Sequence, residues 1–275
     1  MTIVHEVAAF PRLTGRVGFV PTMGALHEGH AALLRECRRH CDVLVLSIFV
    51  NPTQFGPNED FTRYPRTWDE DLRLAEREGV DVVLAPSAED MYAAEGISMS
   101  VGALANRWEG ECRPGHFDGV ATIVAKLFNI VRPDVTVFGQ KDLQQCQVID
   151  TLIRVFSYPI ELVILPTIRE ADGLALSSRN RYLSAEDRAK APAIYANLVA
   201  IREAIRAGIP LEDALSAARD RLVADGFSVD YLAYVDLPAM NEQSKLVDKG
   251  ALVVTARRGN TRLLDNLLLE SGPNP

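Results

Sequence analysis

The feature that most constrains the fold of this chain is a regular alternation of short apolar runs with segments of helical periodicity. The apolar runs are rich in Val, Ile and Leu, and they cover Val43–Val50, Val80–Ala85, Val135–Phe138 and Ile160–Leu165. The helical segments cover His30–Cys41, Trp68–Glu78, Val120–Val131 and Leu143–Phe156. Unbroken apolar strands are typical of sheets covered on both faces, and their alternation with helices predicts an α/β protein with a doubly wound parallel sheet. In such sheets, ligands bind beyond the carboxyl ends of the strands.

The pattern changes near residue 184. Ser184-x-x-Asp187 resembles a capping box at the start of a helix, and helical patterns continue to about Ala224. Two strand-like runs follow, Val229–Val235 and Ala251–Ala256. We therefore expect two domains: residues 1–183 form the α/β domain, and residues 184–275 form a smaller α+β domain.

The composition excludes several classes of protein. The chain has 275 residues, of which 48% are apolar, and a net charge of −8, which argues against a protein that binds nucleic acids or anionic membranes through a basic surface. Its four cysteines are too few and too scattered for a secreted disulfide framework. We find no signal-peptide pattern at the N-terminus and no stretch of the ~20 apolar residues that span a bilayer. These observations predict a cytoplasmic protein that binds neither nucleic acid nor membrane.

The segment Pro21–His30, PTMGALHEGH, is the first candidate for a ligand site. A strand-like run ends at Pro21, small residues turn the chain, and a helix begins near His30. Backbone N–H groups at a helix start form an anion site, and Gly24 and Gly29 let the backbone approach a phosphate closely. This segment is therefore predicted to bind phosphate.

Three familiar motifs come close to this segment without matching it. Gly24 and Gly29 have the spacing of a P-loop, but a histidine replaces the required lysine. His27-Glu28 opens like a zinc-binding HExxH motif, but the second histidine comes one residue early. The third motif, the GxGxxG fingerprint of dinucleotide-binding proteins, is absent after every predicted strand. The remaining pattern is His-x-Gly-His, in which His27 and His30 can face one ligand. The alternative is two surface histidines in a glycine-rich loop.

Four further segments place polar side chains in loops: Ser47–Gly56, Arg113–Gly119, Gly139–Gln145 and Leu176–Arg181. In the first, Asn51 and Gln54 carry neutral amides suited to a carboxylate or a hydroxyl, or Asn51 simply makes an Asn-Pro turn. In the second, Arg113 or His116 reaches a substrate, or the loop is only solvated.

The other two segments have the chemistry of a phosphate site. Lys141 offers a point charge for a phosphate, and Asp142 an acceptor for ribose hydroxyls. Gln145 lies one helical turn beyond Lys141 and should face the same ligand. Two serine hydroxyls and the Arg179 guanidinium match phosphate oxygens in the last segment.

The segment Pro21–His30 resembles the HIGH element of the nucleotidyltransferase and class I aminoacyl-tRNA synthetase superfamily. The segment Leu176–Arg181 resembles the KMSKS element that is paired with it, with Arg179 in place of the last lysine. The resemblance narrows when the segments are taken together: PTMGALHEGH, SIFVNPTQFG, YPRTWDEDL, RPGHFDGV, FGQKDLQQ and ADGLALSSRNRYLS. This set is similar to the pantoate–β-alanine ligase family from about Val17 to Ser184, and more loosely to the end of the chain.

The resemblance implies a Rossmann-like catalytic domain, a smaller lid domain, and an activity. The activity is the ATP-dependent condensation of (R)-pantoate with β-alanine through a pantoyl adenylate, with His30, His27, Lys141 and Arg179 in catalysis and His30 as the proton donor. The implied ATP contacts are Met23, Gly24, Ala25, Leu26, His27, Glu28, Gly29, His30, Gly139, Gln140, Lys141, Asp142, Ile168, Leu176, Ser177, Ser178 and Arg179. The implied contacts with pantoate or β-alanine are Gln54 and Gln145, with Asn51 and Arg113 as further candidates. Mg²⁺ is expected with the triphosphate, without identified metal ligands, and the family implies a homodimer.

Two other functions stay open at this point. One is a different HIGH-type nucleotidyltransferase, such as a cytidylyltransferase that acts on a phosphorylated alcohol. The other is a nucleotide-binding protein without turnover.

Overall fold

The computed structural model describes residues 1–57, 59, 61–92 and 97–270. The contacts between residues divide the chain into two compact units. The first comprises Met1–Gln140 and Val148–Pro166, and the second comprises Lys141–Gln147 and Thr167–Pro275. The predicted boundary after Leu183 lies inside the second unit, and it stays a prediction for how the chain divides into folding domains.

The first unit is built on a parallel sheet of six strands. In chain order they are β1 (Thr2–Val4), β2 (Val17–Thr22), β3 (Val43–Ile48), β4 (Val82–Leu84), β5 (Val135–Gly139) and β6 (Glu161–Leu165). Their order across the sheet is β1-β4-β3-β2-β5-β6, and every neighbouring pair is parallel. This confirms the predicted doubly wound parallel sheet. Strand β1, with three residues, was not predicted.

Helices connect these strands. They are α1 (Glu28–Arg38), α2 (Trp68–Arg77), α3 (Ala88–Met91), α4 (Glu109–Cys112), α5 (His116–Val131) and α6 (Leu143–Val155). The packing explains the unbroken apolar strands, because Leu44, Val45 and Leu46 in β3 are all fully buried. Helix α1 packs Ala31 and Leu34 into the same core.

The second unit contains three further helices and an antiparallel sheet. The helices are α7 (Ala185–Lys190), α8 (Ala193–Arg206) and α9 (Leu211–Ala224), and the strands are β7 (Ser228–Asp236), β8 (Lys249–Arg258) and β9 (Thr261–Glu270). The strands pair in the order β7-β8-β9. The predicted α+β character is confirmed, although only the first two strands were expected. A core that includes Leu198, Ile201 and Leu252 joins α8 to this sheet.

Within the described ranges, we find no helix with the length and apolar character needed to cross a membrane.

Candidate active site

The centre of the parallel sheet contains its topological switch point. Strands β2 and β5 are neighbours there, with β3, β4 and β1 on one side and β6 on the other. The loop after β2 leads to His27 and His30, and β5 ends at Gly139. Two of the predicted ATP-binding segments thus follow the two strands that flank the switch point, where open α/β sheets bind ligands.

The loop after β2 is held in an unusual conformation by a buried carboxylate. Gly24 and Ala25 have φ values of 77° and 50°, in the left-handed region. The backbone N–H of Ala25 donates to Asp71 Oδ2 at 2.9 Å, and that of Leu26 donates to Oδ1 at 2.7 Å. The Thr67 hydroxyl also donates to Oδ1, at 3.0 Å. Burial raises the pKa of Asp71, and these three donors oppose that rise.

The two histidines lie together at the start of α1. The N-cap residue is His27, and its Nδ1 accepts from the Gly29 N–H at 3.1 Å, while His30 Nδ1 accepts from the His27 N–H at 3.3 Å. Their ring centroids are 4.2 Å apart. Since each Nδ1 is an acceptor, each neutral ring carries its proton on Nε2. The Glu28 carboxylate pairs with Arg35 at 2.5 Å on the exposed helix surface, so the backbone of Glu28 is its contribution to the loop.

The segment after β3 forms a buried amide network. Asn51 Nδ2 donates to Gln54 Oε1 at 3.1 Å and to the Gly119 carbonyl at 3.2 Å. Its Oδ1 accepts from the Thr53 N–H at 3.3 Å and from the Tyr92 hydroxyl at 2.5 Å. The Asn-Pro turn is therefore real, and the same side chain also positions Gln54.

Gln54 connects this network to the loop after β2. Its Nε2 lies 3.1 Å from Met23 Sδ, so two segments predicted to bind different substrates meet within the first unit. The backbone carbonyl of Gln54 accepts from His116 Nδ1 at 2.8 Å and from Arg113 Nη2 at 3.3 Å.

Arg113 and His116 form a second layer beneath Gln54. Arg113 pairs with Glu59 at 2.6 Å, and its Nη1 lies 3.1 Å from His116 Nε2. Burial and the Arg113 charge lower the pKa of His116 to about 4. In this structure Arg113 thus contacts Glu59, His116 and the Gln54 backbone. Its contact with a substrate stays a prediction.

The other predicted ATP residues lie at the end of β5 in the first unit and in the second unit. Lys141 Nζ lies 3.3 Å from Asp142 Oδ1, and the Lys141 carbonyl accepts from Asn266 Nδ2 at 3.0 Å. The Asp142 side chain is half-exposed. Gln145 is half-buried in the first turns of α6. At the end of β5, Gly139 and Gln140 are also half-buried.

The segment from Ile168 to Arg179 is organised by a short bridge. The Leu176 N–H donates to the Ile168 carbonyl at 2.9 Å, and the Arg179 N–H donates to Ser177 Oγ at 3.2 Å. A 3-10 turn begins at Ser178. Together, the bridge and the turn fix the backbone that carries the two serines and Arg179.

A partly buried ion pair anchors this segment to β9. Arg169 donates two hydrogen bonds to Asp265, at 2.5 and 2.9 Å, and its guanidinium lies 3.5 Å from the centre of the Tyr195 ring. Neither Arg169 nor Asp265 was predicted as a site residue. Asp71 was also missed, because it acts on residues distant in sequence. His116 contacts protein groups in this structure, and its contact with a substrate stays a prediction.

A parallel α/β sheet with a His-x-Gly-His loop at its switch point defines a nucleotide-binding protein of the HIGH type. Comparison with known proteins narrows this class. The family model described as pantoate–β-alanine ligase matches residues 2–268. The chain belongs to the pantoate–β-alanine ligase family.

Curated relatives and solved structures agree with this assignment. The pantothenate synthetase of Acidothermus cellulolyticus is 48% identical over 97% of this chain and 89% of the relative, and that of Geobacillus kaustophilus is 45% identical over 98% and 93%. The crystal structure of pantothenate synthetase from Thermus thermophilus has a TM-score of 0.92 at 47% identity, covering 97% of this chain and 99% of that one. The pantoate–β-alanine ligase of Francisella tularensis, complexed with β,γ-ATP and β-alanine, has a TM-score of 0.80 at 34% identity over the full length of both chains.

Proposed function

We propose that this chain condenses (R)-pantoate with β-alanine at the expense of ATP, through a pantoyl adenylate. The observation that supports it best is the family match over residues 2–268 together with the His-x-Gly-His loop at the switch point of the sheet. A relative solved with an ATP analogue and β-alanine supports these two compounds as substrates.

The reaction has two balanced steps. A pantoate carboxylate oxygen attacks the α-phosphorus of ATP, and the bond to the bridging oxygen breaks to release pyrophosphate. The β-alanine amine then attacks the acyl carbon, AMP leaves with the electron pair, and the amine loses a proton. Activation is needed because AMP is a far better leaving group than oxide. No covalent enzyme intermediate is required, so positioning and charge stabilisation carry the catalysis.

In the first unit, we assign the backbone from Met23 to His30 to the ATP phosphates. The Nε2–H groups of His27 and His30 supply donors suited to negative charge on phosphate oxygens, and His30 is the proposed proton donor. Gln54, with Nε2 as its donor, is assigned to the pantoate carboxylate or hydroxyl. Asn51 and Arg113 support Gln54 through the contacts described above, and they stay candidates for substrate contact.

In the second unit, we assign Lys141 to phosphate and Asp142 to the ribose hydroxyls. Gly139 at the end of β5 and the adjacent Gln140 belong to the first unit, and we assign both to ATP as well. Gln145 is assigned to pantoate. Further along the chain, Ile168 is assigned to adenine through its backbone. The segment Leu176, Ser177, Ser178 and Arg179 is assigned to the triphosphate, because its hydroxyls and guanidinium match phosphate oxygens.

Mg²⁺ belongs to this proposal as the counter-ion of ATP. In proteins it binds through phosphate oxygens and one or two carboxylates, and it would neutralise charge on the triphosphate. Asp142 is the half-exposed carboxylate of its segment and fits one such position as well as the ribose. Across the described ranges, no group of three or more His, Cys, Asp or Glu is arranged to hold a metal. Removal of Mg²⁺ with EDTA is expected to stop AMP formation, and excess Mg²⁺ to restore it.

We also propose that the protein is a cytoplasmic homodimer, on the basis of the family resemblance and the composition. Sedimentation of the purified chain tests the oligomeric state, and a monomer at all concentrations would overturn it.

The function is tested by AMP release with pantoate and β-alanine omitted in turn. AMP should require both acids, while exchange of labelled pyrophosphate into ATP should require pantoate alone. Exchange without pantoate would favour a different HIGH-type nucleotidyltransferase, and binding of ATP without AMP formation would favour a non-catalytic protein.

His30→Ala should lower kcat by at least ~100-fold, the usual effect of removing one charge-stabilising donor. His40→Ala is the matched control, since His40 lies beyond the other end of α1 and contacts only Glu36 among the hydrogen bonds described for its ring. A His30→Ala enzyme within threefold of the wild type would remove His30 from its assigned role.

A further inference from the structure

Asp71 is a buried carboxylate for which the proposed reaction has no role. It lies in the first turn of α2 and is 1% exposed, whereas Asp69 and Glu70 in the same turn are exposed. An isolated buried carboxylate is costly, and such groups are normally held by hydrogen-bond donors. The donors at Asp71 therefore indicate its purpose.

Two of those donors belong to the backbone of the loop after β2. Ala25 and Leu26 are separated from Asp71 by 46 and 45 residues, and each donates its N–H to a different carboxylate oxygen. The third donor is the Thr67 hydroxyl, which holds the carboxylate from its own side. The carboxylate thus bridges the start of α2 and the loop.

The loop needs such a support because its conformation is unfavourable on its own. Ala25 is a non-glycine residue with φ of 50°, a left-handed conformation that is unfavourable for a residue with a Cβ atom. At Gly24, a Cβ would lie 2.9 Å from Asp71 Oδ2, so only glycine admits the carboxylate at this distance. The glycine and the acid are therefore required by the same arrangement.

The contacts of Asp71 also argue against a direct contact between its carboxylate and a ligand. A carboxylate has about four acceptor positions, and three are occupied by Ala25, Leu26 and Thr67. Its side chain is buried beneath the loop, while the loop backbone continues into the first turn of α1 and its two histidines. The influence of Asp71 on a ligand must therefore pass through the loop.

We propose that Asp71 is a positioning residue that fixes the left-handed turn at Gly24–Ala25 and so presents the loop backbone and α1 to the ATP phosphates. This inference rests on the assignment of Met23–His30 to ATP in the proposed function. It predicts that neutralising Asp71 weakens ATP binding and speeds local opening of the loop, while the use of β-alanine is little affected.

The test compares Asp71→Asn with Asp69→Asn. Asparagine keeps the size of the side chain but turns one acceptor into a donor that faces a backbone N–H. Asp69→Asn removes the same charge from the same helical turn at an exposed site, and so controls for the helix dipole. Two quantities are measured: amide hydrogen exchange at Ala25 and Leu26, and the Kd of a non-hydrolysable ATP analogue by calorimetry.

In Asp71→Asn we expect exchange at both amides to be at least about tenfold faster, and the Kd to rise by about tenfold or more, the size of one lost charge-assisted hydrogen bond. In Asp69→Asn both should stay within about twofold. In turnover assays, KM for ATP should rise while KM for β-alanine stays unchanged, a split that a general loss of folded enzyme would not produce.

Thr67→Val keeps the test decisive if Asp71→Asn does not fold. It removes one anchor of the carboxylate and should give a smaller change of the same kind, about threefold in Kd. Unchanged exchange in the folded variants, or faster exchange with an unchanged Kd, would overturn the proposal. A wild-type protein that binds the ATP analogue but makes no AMP from pantoate would refute the proposed function alone, because both measurements at Asp71 are independent of turnover.

Discussion

Acid should destabilise this protein in a way that depends on His116. Burial and the nearby Arg113 charge lower the pKa of His116 from 6.5 to about 4. The arrangement requires the neutral ring, because Nδ1–H donates to the Gln54 carbonyl and Nε2 faces the Arg113 guanidinium. A depressed folded-state pKa means that the unfolded chain binds the proton first. The part of the stability that depends on neutral His116 is therefore present above about pH 6.5, and it is lost as the pH falls towards 4.

The size of the effect follows from the two pKa values. At about 1.36 kcal/mol per pKa unit, the loss due to His116 reaches about 2 kcal/mol at pH 5. Urea unfolding of the wild type and of His116→Gln, each at about pH 7.5 and about pH 5, measures this loss. The variant should be the less stable protein at the higher pH, because it loses the imidazole contacts with Gln54 and Arg113. Between the two pH values it should lose about 2 kcal/mol less than the wild type.

His5→Gln is the control, since His5 is exposed and should leave the pH dependence of the wild type unchanged. If the wild type and His116→Gln lose the same free energy between the two pH values, His116 is not held neutral in the folded protein. The explanation of its contacts with Arg113 and Gln54 would then be wrong.

Two further predictions concern packing. Gly119→Ala should lower the free energy of unfolding by about 1–3 kcal/mol, because its Cβ would lie 2.5 Å from the Thr53 carbonyl oxygen. The control Gly56→Ala, whose nearest contact would be 3.6 Å, should change it by about 0.5 kcal/mol or less. Equal urea midpoints for the two variants would contradict this prediction. Arg169→Lys should lose about 2 kcal/mol, since lysine cannot make both hydrogen bonds to Asp265, and unchanged unfolding would show that the paired geometry contributes nothing.

The sequence predicts the parallel sheet well because most of its strands are marked by local pattern. The run Val43–Val50 predicts β3, observed at Val43–Ile48, and Val135–Phe138 predicts β5, observed at Val135–Gly139. Strand β9 was missed because Asp265 and Asn266 interrupt its apolar pattern, although they are 4% and 2% exposed. Asp265 is buried because Arg169 pairs with it from 96 residues away. The turn that contains Gly259 is the local signal that a hairpin follows β8.

The candidate site, like the sheet, is predictable from the sequence only where its signal is local. The Met23–His30 loop was recognisable because its glycines, its histidines and the helix start lie within ten residues of each other in the sequence, and the anion-binding chemistry follows from that local order. The groups that hold it were not recognisable. Asp71 stands in an acidic helix start, which is ordinary for any helix, and only the folded structure shows that its side chain turns inward. Supporting residues of this kind have no signature until their partners are known.

The orientation of the Gln54 amide illustrates how far such support determines chemistry. A backbone N–H can only donate, so the N–H of Thr53 requires Asn51 to present its oxygen on that side. Asn51 Nδ2 is then left to donate to Gln54, which must present Oε1 to it. The end of Gln54 that points towards Met23 is therefore the NH₂ group, a donor. A donor is the group that a carboxylate such as that of pantoate requires, and here it is set by a backbone hydrogen bond one residue away from Gln54.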